Sequence, residues 1–439
     1  HLVPGPCEEG FDDALAAKAL RYDRCWRLFN AGEIGVNADL SVSVANTEDR
    51  ALIEDFIRDG QGWEAEFEAF AGRPATELIT GRGKTAGLYV GAGIVADAYR
   101  YGVLRDQGYP AEEVARAREH LLISLDVLHV ATAVTGVPGV IARGLALSAW
   151  NDAWNYELLP LADAQGNPLP LEKNNGVWRA DNSPGGLYPQ VIWEDSCSRD
   201  MLVGWAAAFG AAAEVIAEDE QIPEAAKATL KQDALDLGRA LMQVRESGYD
   251  LEVPDADGRI TLHGWLNEHN LDGKVYVPTF ENGFHAAMAL GIVGAYALAS
   301  QDEEMQAWLQ EDLIEAREFP RIAREGIALF CDMGYGTNFS NVNMAMMGYW
   351  LAQRYVADPS ARATLRAGMR DSLYARPGKT FQPKDHHYSF YDFAFAASEA
   401  DAQAFGLAGG EPDAVALANG LETLTNFREP PYWNVAVVN

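Results

Sequence analysis

The chain has 439 residues, 48% hydrophobic and 22% charged, a composition that builds a sizeable core and excludes a disordered chain. Its 64 acidic against 34 basic residues give a formal net charge of −30, which repels phosphate backbones and anionic bilayers and so excludes nucleic acid as a partner. The longest apolar stretch, Ala286 to Ser300, falls short of the ~20 residues that a membrane span needs.

The chain begins at His1 rather than Met, as expected of an exported protein, secreted or periplasmic, whose leader has been removed. In that setting four cysteines predict two disulfides, Cys7–Cys25 and Cys197–Cys331, the alternative being four inert buried thiols. None of the spacings is CxxC, so no structural zinc site is expected, and no cofactor is implied.

Helical periodicity dominates from the start. Asp12 to Ala31 reads as a helix. Thr85–Leu104 and Ala111–Thr135 read as a helical hairpin turning around Gly108 and Pro110. Ser198–Ala217 and Glu224–Val244 form the next, with Pro223 opening the second helix. Gly283–Leu298 pairs with Asp302–Glu325, Ser340–Tyr355 with Ala361–Leu373, and Ser389–Ala404 with Asp413–Phe427. The first helix of each pair is small and apolar, as in GLYVGAGIVADAY and GFHAAMALGIVGAYA, and the second is charged and amphipathic, as in AEEVARAREHLL. A helix apolar all round is buried and an amphipathic one covers it, which predicts an inner and an outer layer. Links within hairpins are short. Links between them are long, at 136–197, 245–282, 326–339 and 374–388. If the inner helices run parallel, every long link lies at one end, and long loops in a compact domain usually carry function.

This layout resembles the six-hairpin glycosidase-like fold, an α/α toroid. The segment Trp193-Glu-Asp-Ser-Cys-Ser-Arg-Asp200, at the mouth of an inner helix, looks similar to the acidic or hydroxyl-rich entries that open inner helices in that fold. The resemblance implies a single all-α toroid domain over residues 1–439, with about six hairpins and the loops 136–197 and 245–282 as the rim of the site. It also implies cleavage of glycosides or uronate polysaccharides in a cleft at that rim.

Five of the eight histidines (His263, His269, His285, His386, His387) and five of the eleven tryptophans (Trp150, Trp154, Trp178, Trp193, Trp265) fall in or beside the long links. Exposed aromatic faces suit stacking on pyranose rings, although long loops also need Trp for their own small cores. In Trp193–Asp200, a serine capping the helix explains one acid at most. Glu194, Asp195, Arg199 and Asp200 together suit either an acid/base pair with divergent pKa values or an ion-pair network. In Glu281-Asn-Gly-Phe-His285, Glu281 and His285 share one helix face. The segment 261–272 carries His263, Trp265, Glu268 and His269, without a recognisable metal signature, and Asp255-Ala-Asp257-Gly258 reads as a turn in a short β-hairpin rather than a calcium loop. Tyr335, Asn338, Asn341 and Asn343 offer uncharged donors and acceptors suited to sugar hydroxyls. His386, His387, Tyr388, Tyr391 and Asp392 gather in DHHYSFYD, and Arg143 follows a Pro-Gly turn from which it can clamp a carboxylate.

No GxSxG, GxxxxGK[ST] or HExxH occurs, so the chemistry expected is carboxylate- or histidine-driven. The first reading is a glycoside hydrolase using Asp195, Asp200 and Glu281, with Glu194 and Glu268 behind them, and with Arg199, His263, His285 and Tyr388 holding the sugar. A polysaccharide lyase would set a His or Tyr base and Arg143 or Arg199 against a uronate. A non-catalytic binding protein would use the same aromatic rim without a pair of carboxylates in reach of each other. The expected partner in all three is an oligo- or polysaccharide.

Overall fold

The computed structural model describes residues 4–42, 46–59, 63–169, 175–331, 338–379, 381–398 and 413–431. It is mostly helical, with a few short strands confined to the links between helices. Helix α1 (Asp13–Cys25) is capped by Asp12, whose carboxylate accepts from the Leu15 amide at 2.9 Å, and it continues into a wide π turn at Trp26–Asn30. Strand β1 (Ala38–Val42), helices α2 (Thr47–Asp59) and α3 (Glu64–Ala71) and strand β2 (Ile79–Thr85) follow, with β1 and β2 antiparallel. They share a small core of Leu28, Phe29, Ile53, Phe56 and Phe67, an arrangement the sequence reading left unassigned.

Helices α4 (Gly87–Asp106) and α5 (Ala111–Ala133) form the first long pair. The link after α5 holds strand β3 (Gly144–Leu147), the short helix α6 (Asn151–Trp154), β4 (Val177–Ala180) and β5 (Val191–Asp195), with β5 central in an antiparallel sheet. Helices α7 (Arg199–Ile216) and α8 (Glu224–Met242) come next. The following link forms two hairpins, β6 (Glu252–Pro254) with β7 (Ile260–Trp265) and β8 (Asn270–Asp272) with β9 (Val275–Tyr276). Asp255 to Gly258 makes the first turn, as its composition predicts.

Helix α9 (Gly283–Ser300) is followed by α10 (Glu303–Ala307), a π turn at Trp308–Ala316, α11 (Phe319–Gly326) and α12 (Ala328–Cys331). The single helix expected over Asp302–Glu325 is therefore broken. The break falls where Arg317 turns toward Asp250 and Glu268, with Glu318 in the left-handed region (φ 53°) and Pro320 in the first turn of α11. Helices α13 (Phe339–Tyr355), α14 (Pro359–Gly368), α15 (Ser389–Ala397) and α16 (Ala414–Asn426) complete the chain.

The apolar first helices lie inside, as their sequences require. Every residue of α9 except Leu298 is buried, with α7, α8, α11 and α13 packed around it. This is the one helix among the described residues long and apolar enough to cross a membrane, and here protein encloses it. Glycines set the spacing. A Cβ on Gly91 would sit 1.9 Å from the Gly204 carbonyl oxygen, and one on Gly291 would sit 2.5 Å from that of Gly348. Further along, Gly102 meets Val215 and Gly294 meets Tyr355, so α4 with α7 and α9 with α13 each run parallel. Helices α7 and α9 are parallel too, since Arg199 lies over the Phe284 ring near their starts and Phe209 meets Tyr296 further down. The long links thus gather at the N-terminal ends of the inner helices.

None of the four cysteines is in a disulfide. The expected bridges Cys7–Cys25 and Cys197–Cys331 are not formed: Cys7 is exposed, Cys197 is enclosed at the mouth of α7, and the Cys331 thiol points at the Asn341 carbonyl, 3.7 Å away. Unreduced protein unfolded in guanidinium should therefore release four equivalents of chromophore from a thiol reagent, and a count of zero would restore the bridges. The tight helix contacts are as open to test. Gly91→Ala should lower stability by about 3 kcal/mol in urea unfolding, whereas Gly81→Ala, whose Cβ would meet Ser41 at 3.4 Å, should be tolerated.

Candidate functional site

Strand β5 is buried on both faces, so its two adjacent acids point into separate enclosed environments and each needs a cation. Glu194 is held by Lys84 from the end of β2, with Arg143 at 3.7 Å. Asp195 accepts from Nε of the fully buried Arg179 at 2.7 Å, and from the amides of Ser196 and Ala256 at 3.0 and 3.2 Å. Arg179 reaches from β4 and also donates to the Leu159 carbonyl at 3.0 Å, with Asp257 at 3.6 Å. Ser196 turns the chain with φ 79°, and Ser198 opens α7. The Ser198 hydroxyl caps nothing. It accepts from Arg143 at 2.6 Å and donates to Asp200. Asp200 is half-buried and has no ion pair among the described residues.

The β6–β7 turn adds Asp255, Asp257 and Arg259 to this junction. Asp255 is buried, and neither of its oxygens makes a well-formed hydrogen bond. Burial, and next the charge of Asp195, raise its pKa to about 8, against the weaker pull of the Thr261 hydroxyl and Arg259. Asp257 is paired with Arg259 at 2.7 Å. Lys84, Arg143, Arg179 and Arg259 are four cations, and Glu194, Asp195, Asp200, Asp255 and Asp257 are five acids. With Asp255 protonated the cluster balances four against four.

A second network lies at the start of α9. His285 is buried, its Nδ1 3.1 Å from the Asn267 carbonyl and its Nε2 3.3 Å from Arg199. Those partners assign the proton to Nδ1 and the lone pair of Nε2 to the guanidinium. Burial, then Arg199, lowers its pKa to about 3, so the ring is neutral. Glu268 is gripped by Arg317, which also holds Asp250. His269 sends Nδ1 to the Phe280 carbonyl at 2.9 Å, with Nε2 3.6 Å from Glu268. Glu281 lies apart on the surface in a two-pronged pair with Arg321, which holds its carboxyl below the ordinary range. His263 is exposed, with φ 64°.

The structure thus brings Glu194, Asp195, Asp200, Arg143 and Ser198 together at one junction, joins Arg199, His285, Glu268 and His269 at a second, and leaves Glu281 and His263 outside both. Trp150 and Trp178 are buried in a small link core, Trp193 is buried in the main core and donates to the Ala180 carbonyl at 2.9 Å, and Trp265 is buried as well. Tyr335 lies outside the described residues. Among these residues no group of His, Cys, Asp and Glu is arranged to hold a metal.

The exposed aromatics stand elsewhere on the same end. A cleft of about 750 Å³ opens between the starts of α4, α13 and α15 and the end of α16. Tyr89, Phe339, Tyr388, Phe390 and Phe427 line it with 59, 56, 47, 42 and 54% of their surfaces exposed. His386, His387, Asn343, Ser389 and Thr423 supply polar atoms, and among the described residues no Asp, Glu, Lys or Arg is in the lining. Tyr391 bonds Asn343, His387 is 3.4 Å from Glu422, and its carbonyl accepts from Thr423 at 2.7 Å. Asn338 caps α13 by accepting from the Ser340 amide at 3.0 Å. Of this cleft the sequence reading named Asn343, His386, His387, Tyr388 and Tyr391. It missed Tyr89, whose signal is a bulky ring in the first turn of α4, among the glycines and alanines that open that helix.

No family model matches the chain, and comparison with curated proteins and with solved structures finds no match either.

The raised pKa of Asp255 makes stability depend on pH in a definite direction. The unfolded carboxyl ionises near 3.8 and the folded one at about 8, so the folded state holds the extra proton between those values. Its contribution is complete below about pH 4 and is lost as pH rises toward 8. Asp255→Asn, which keeps the neutral form's shape, should flatten the fall in urea midpoint between pH 5 and pH 8.5. Equal slopes for variant and wild type would show that Asp255 is already ionised when folded.

Proposed function

We propose that this protein is a carbohydrate-binding α/α toroid whose rim cleft holds an uncharged oligosaccharide against its aromatic walls. The toroid is supported by the order of neighbours. Helices α4, α7, α9, α13 and α15 contact one another in sequence order, α16 packs on α15, and α1 meets both the end of α16 and, across a cleft, α4. The observation that carries the function is the gathering of Tyr89, Phe339, Tyr388, Phe390 and Phe427 in one cleft with amide, hydroxyl and imidazole groups between them. Five exposed rings in one concavity cost hydrophobic free energy unless something covers them, and the apolar C–H face of a sugar matches them. The cleft volume lies within the ~300–1,000 Å³ usual for ligand sites. Among the described residues its lining carries no guanidinium or ammonium, which speaks against a uronate there and hence against elimination.

Hydrolysis is the second reading, favoured by one observation. Of Glu194, Asp195, Asp200 and Glu281, Asp200 alone is not engaged by a cation. An unneutralised carboxylate is the form that a general base or nucleophile requires.

Calorimetric titration with neutral cello-, xylo-, manno- and malto-oligosaccharides and with an oligogalacturonide tests the first reading. At least one neutral series should bind and the oligogalacturonide should not. Tyr388→Ala and Tyr89→Ala should each weaken binding about three- to tenfold, the worth of one aromatic contact. Unchanged affinity in both variants would remove the cleft as the site. Release of reducing ends that disappears in Asp200→Asn, with binding retained, would promote the hydrolase.

A further inference from the structure

His387 has a backbone conformation that few side chains adopt. Its φ is 52°, in the left-handed region, one residue ahead of Tyr388 and the start of α15. Helix α16 holds it there. The Thr423 hydroxyl donates to the His387 carbonyl at 2.7 Å, and the Glu422 carboxylate lies 3.4 Å from Nδ1. Strain of this kind persists only where the surroundings fix it, and it gathers at working sites. The imidazole is 43% exposed and stands between two concavities. One is the aromatic cleft. The other, of about 260 Å³, is lined by Glu422, Thr423, Asn426 and Phe427 as well. A carboxylate at Nδ1 draws the ring proton to that nitrogen and leaves the lone pair of Nε2 as the base.

The same cleft receives the start of α15. Its N-cap, Tyr388, supplies no side-chain cap, and Ser389, Phe390 and Tyr391 of its first turn line the cleft. First-turn amides and the positive end of a helix favour negative charge that develops beside them. A base and anion-stabilising donors, with no carboxylate among the described lining residues, narrow the chemistry. Glycoside hydrolysis needs carboxylates at the reacting carbon, and elimination needs a cation against a uronate. Acyl transfer needs neither, since one proton passes through an imidazole and one oxyanion forms.

We propose that the aromatic cleft hydrolyses an O-acyl ester on its ligand, with His387 as the general base and Glu422 as its positioning residue. The inference rests on the carbohydrate reading of the cleft for the alcohol half of the substrate. His387 Nε2 takes a proton from a water, the water oxygen bonds to the acyl carbon, and the carbonyl oxygen becomes an oxyanion at the start of α15. The bond from the acyl carbon to the sugar oxygen then breaks. Its electron pair leaves with that oxygen, and the imidazolium returns the proton to it. The products are a carboxylic acid and the deacylated sugar.

The test incubates the full chain with acetylated xylo- and cello-oligosaccharides and with benzyl acetate, an ester without a sugar, and measures released acetate by chromatography. Acetate should appear from at least one acetylated oligosaccharide. His387→Asn, which tolerates a left-handed backbone, should lower kcat about a hundredfold, the worth of a general base, while calorimetric affinity for the deacylated sugar is kept. Glu422→Gln should lower kcat about tenfold at unchanged KM, the pattern of an interaction made only in the transition state. His387→Gly should regain part of the rate when imidazole is added, which a structural role of the side chain would not produce. No acetate from any of these esters, or a rate untouched by His387→Asn, would overturn the proposal. Binding of neutral oligosaccharides without acetate release would overturn it too, and would leave the carbohydrate reading standing. Cleavage of benzyl acetate alone, lost in His387→Asn, would uphold the ester chemistry and remove the sugar. If His387→Asn fails to fold by circular dichroism, Glu422→Gln, on an exposed side chain, decides in its place.

Discussion

The close approach of the inner helices is the constraint on which the remaining structure depends. Gly91 against Gly204 and Gly291 against Gly348 bring backbones so near that no side chain fits between them. Glycine inside a helix costs about 1 kcal/mol of propensity relative to alanine, and α4, α7, α9 and α13 each accept that cost at the crossing. What it secures is direction. Two helices that touch at several glycines spaced along their lengths have one register and one polarity, and the parallel run of the inner layer follows. Once that polarity is set, each return helix must lie outside, and each passage to the next inner helix must cross the N-terminal ends.

Those crossings bring charge into enclosed positions. Strand β5 has no solvent face, yet carries Glu194 and Asp195 in succession, and the cations that answer them arrive from separate elements: Lys84 from β2, Arg143 from the approach to β3, Arg179 from β4. An unpaired charge at such depth costs several kcal/mol, while a complete set of partners makes the arrangement tolerable. The junction is thereby tied to four stretches of chain at once. It acts as a clasp that holds the links against the inner helices, and the exposed aromatic cleft stands beside a rim that cannot shift freely.

The layered helical design was legible because its signal is local. GLYVGAGIVADAY and GFHAAMALGIVGAYA are apolar all round, AEEVARAREHLL is not, and burial follows that difference. The break near Arg317 was legible only in Pro320, because the ion pairs that turn Arg317 aside come from Glu268 and Asp250, 49 and 67 residues away. The candidate site was read by half. The clustering of Trp193, Glu194, Asp195 and Asp200 at an inner helix mouth is real, but a sequence does not say which of several acids a cation has already taken. Tryptophan in long links suggested platforms, and Trp150, Trp178, Trp193 and Trp265 are buried instead. The open rings are tyrosines and phenylalanines drawn from four helices and their approaches, and only the folded chain assembles them. Disulfides were inferred from cysteine number alone, which contains no geometry.

Lys18 sits in α1 with its ammonium buried and held by two carbonyls at the end of α16, more than 400 residues further along the chain. Until those carbonyls arrive, the ammonium keeps its water and α1 has little reason to dock. Helix α1 thus waits on a segment made more than 400 residues after it and is among the last elements described here to reach its place. Its contacts have very high sequence separation, which slows folding and leaves apolar surface waiting for cover. During synthesis the alanine face of α1 is an exposed greasy strip, and a cell making this protein must keep that strip from sticking to its neighbours until the end of α16 has been made.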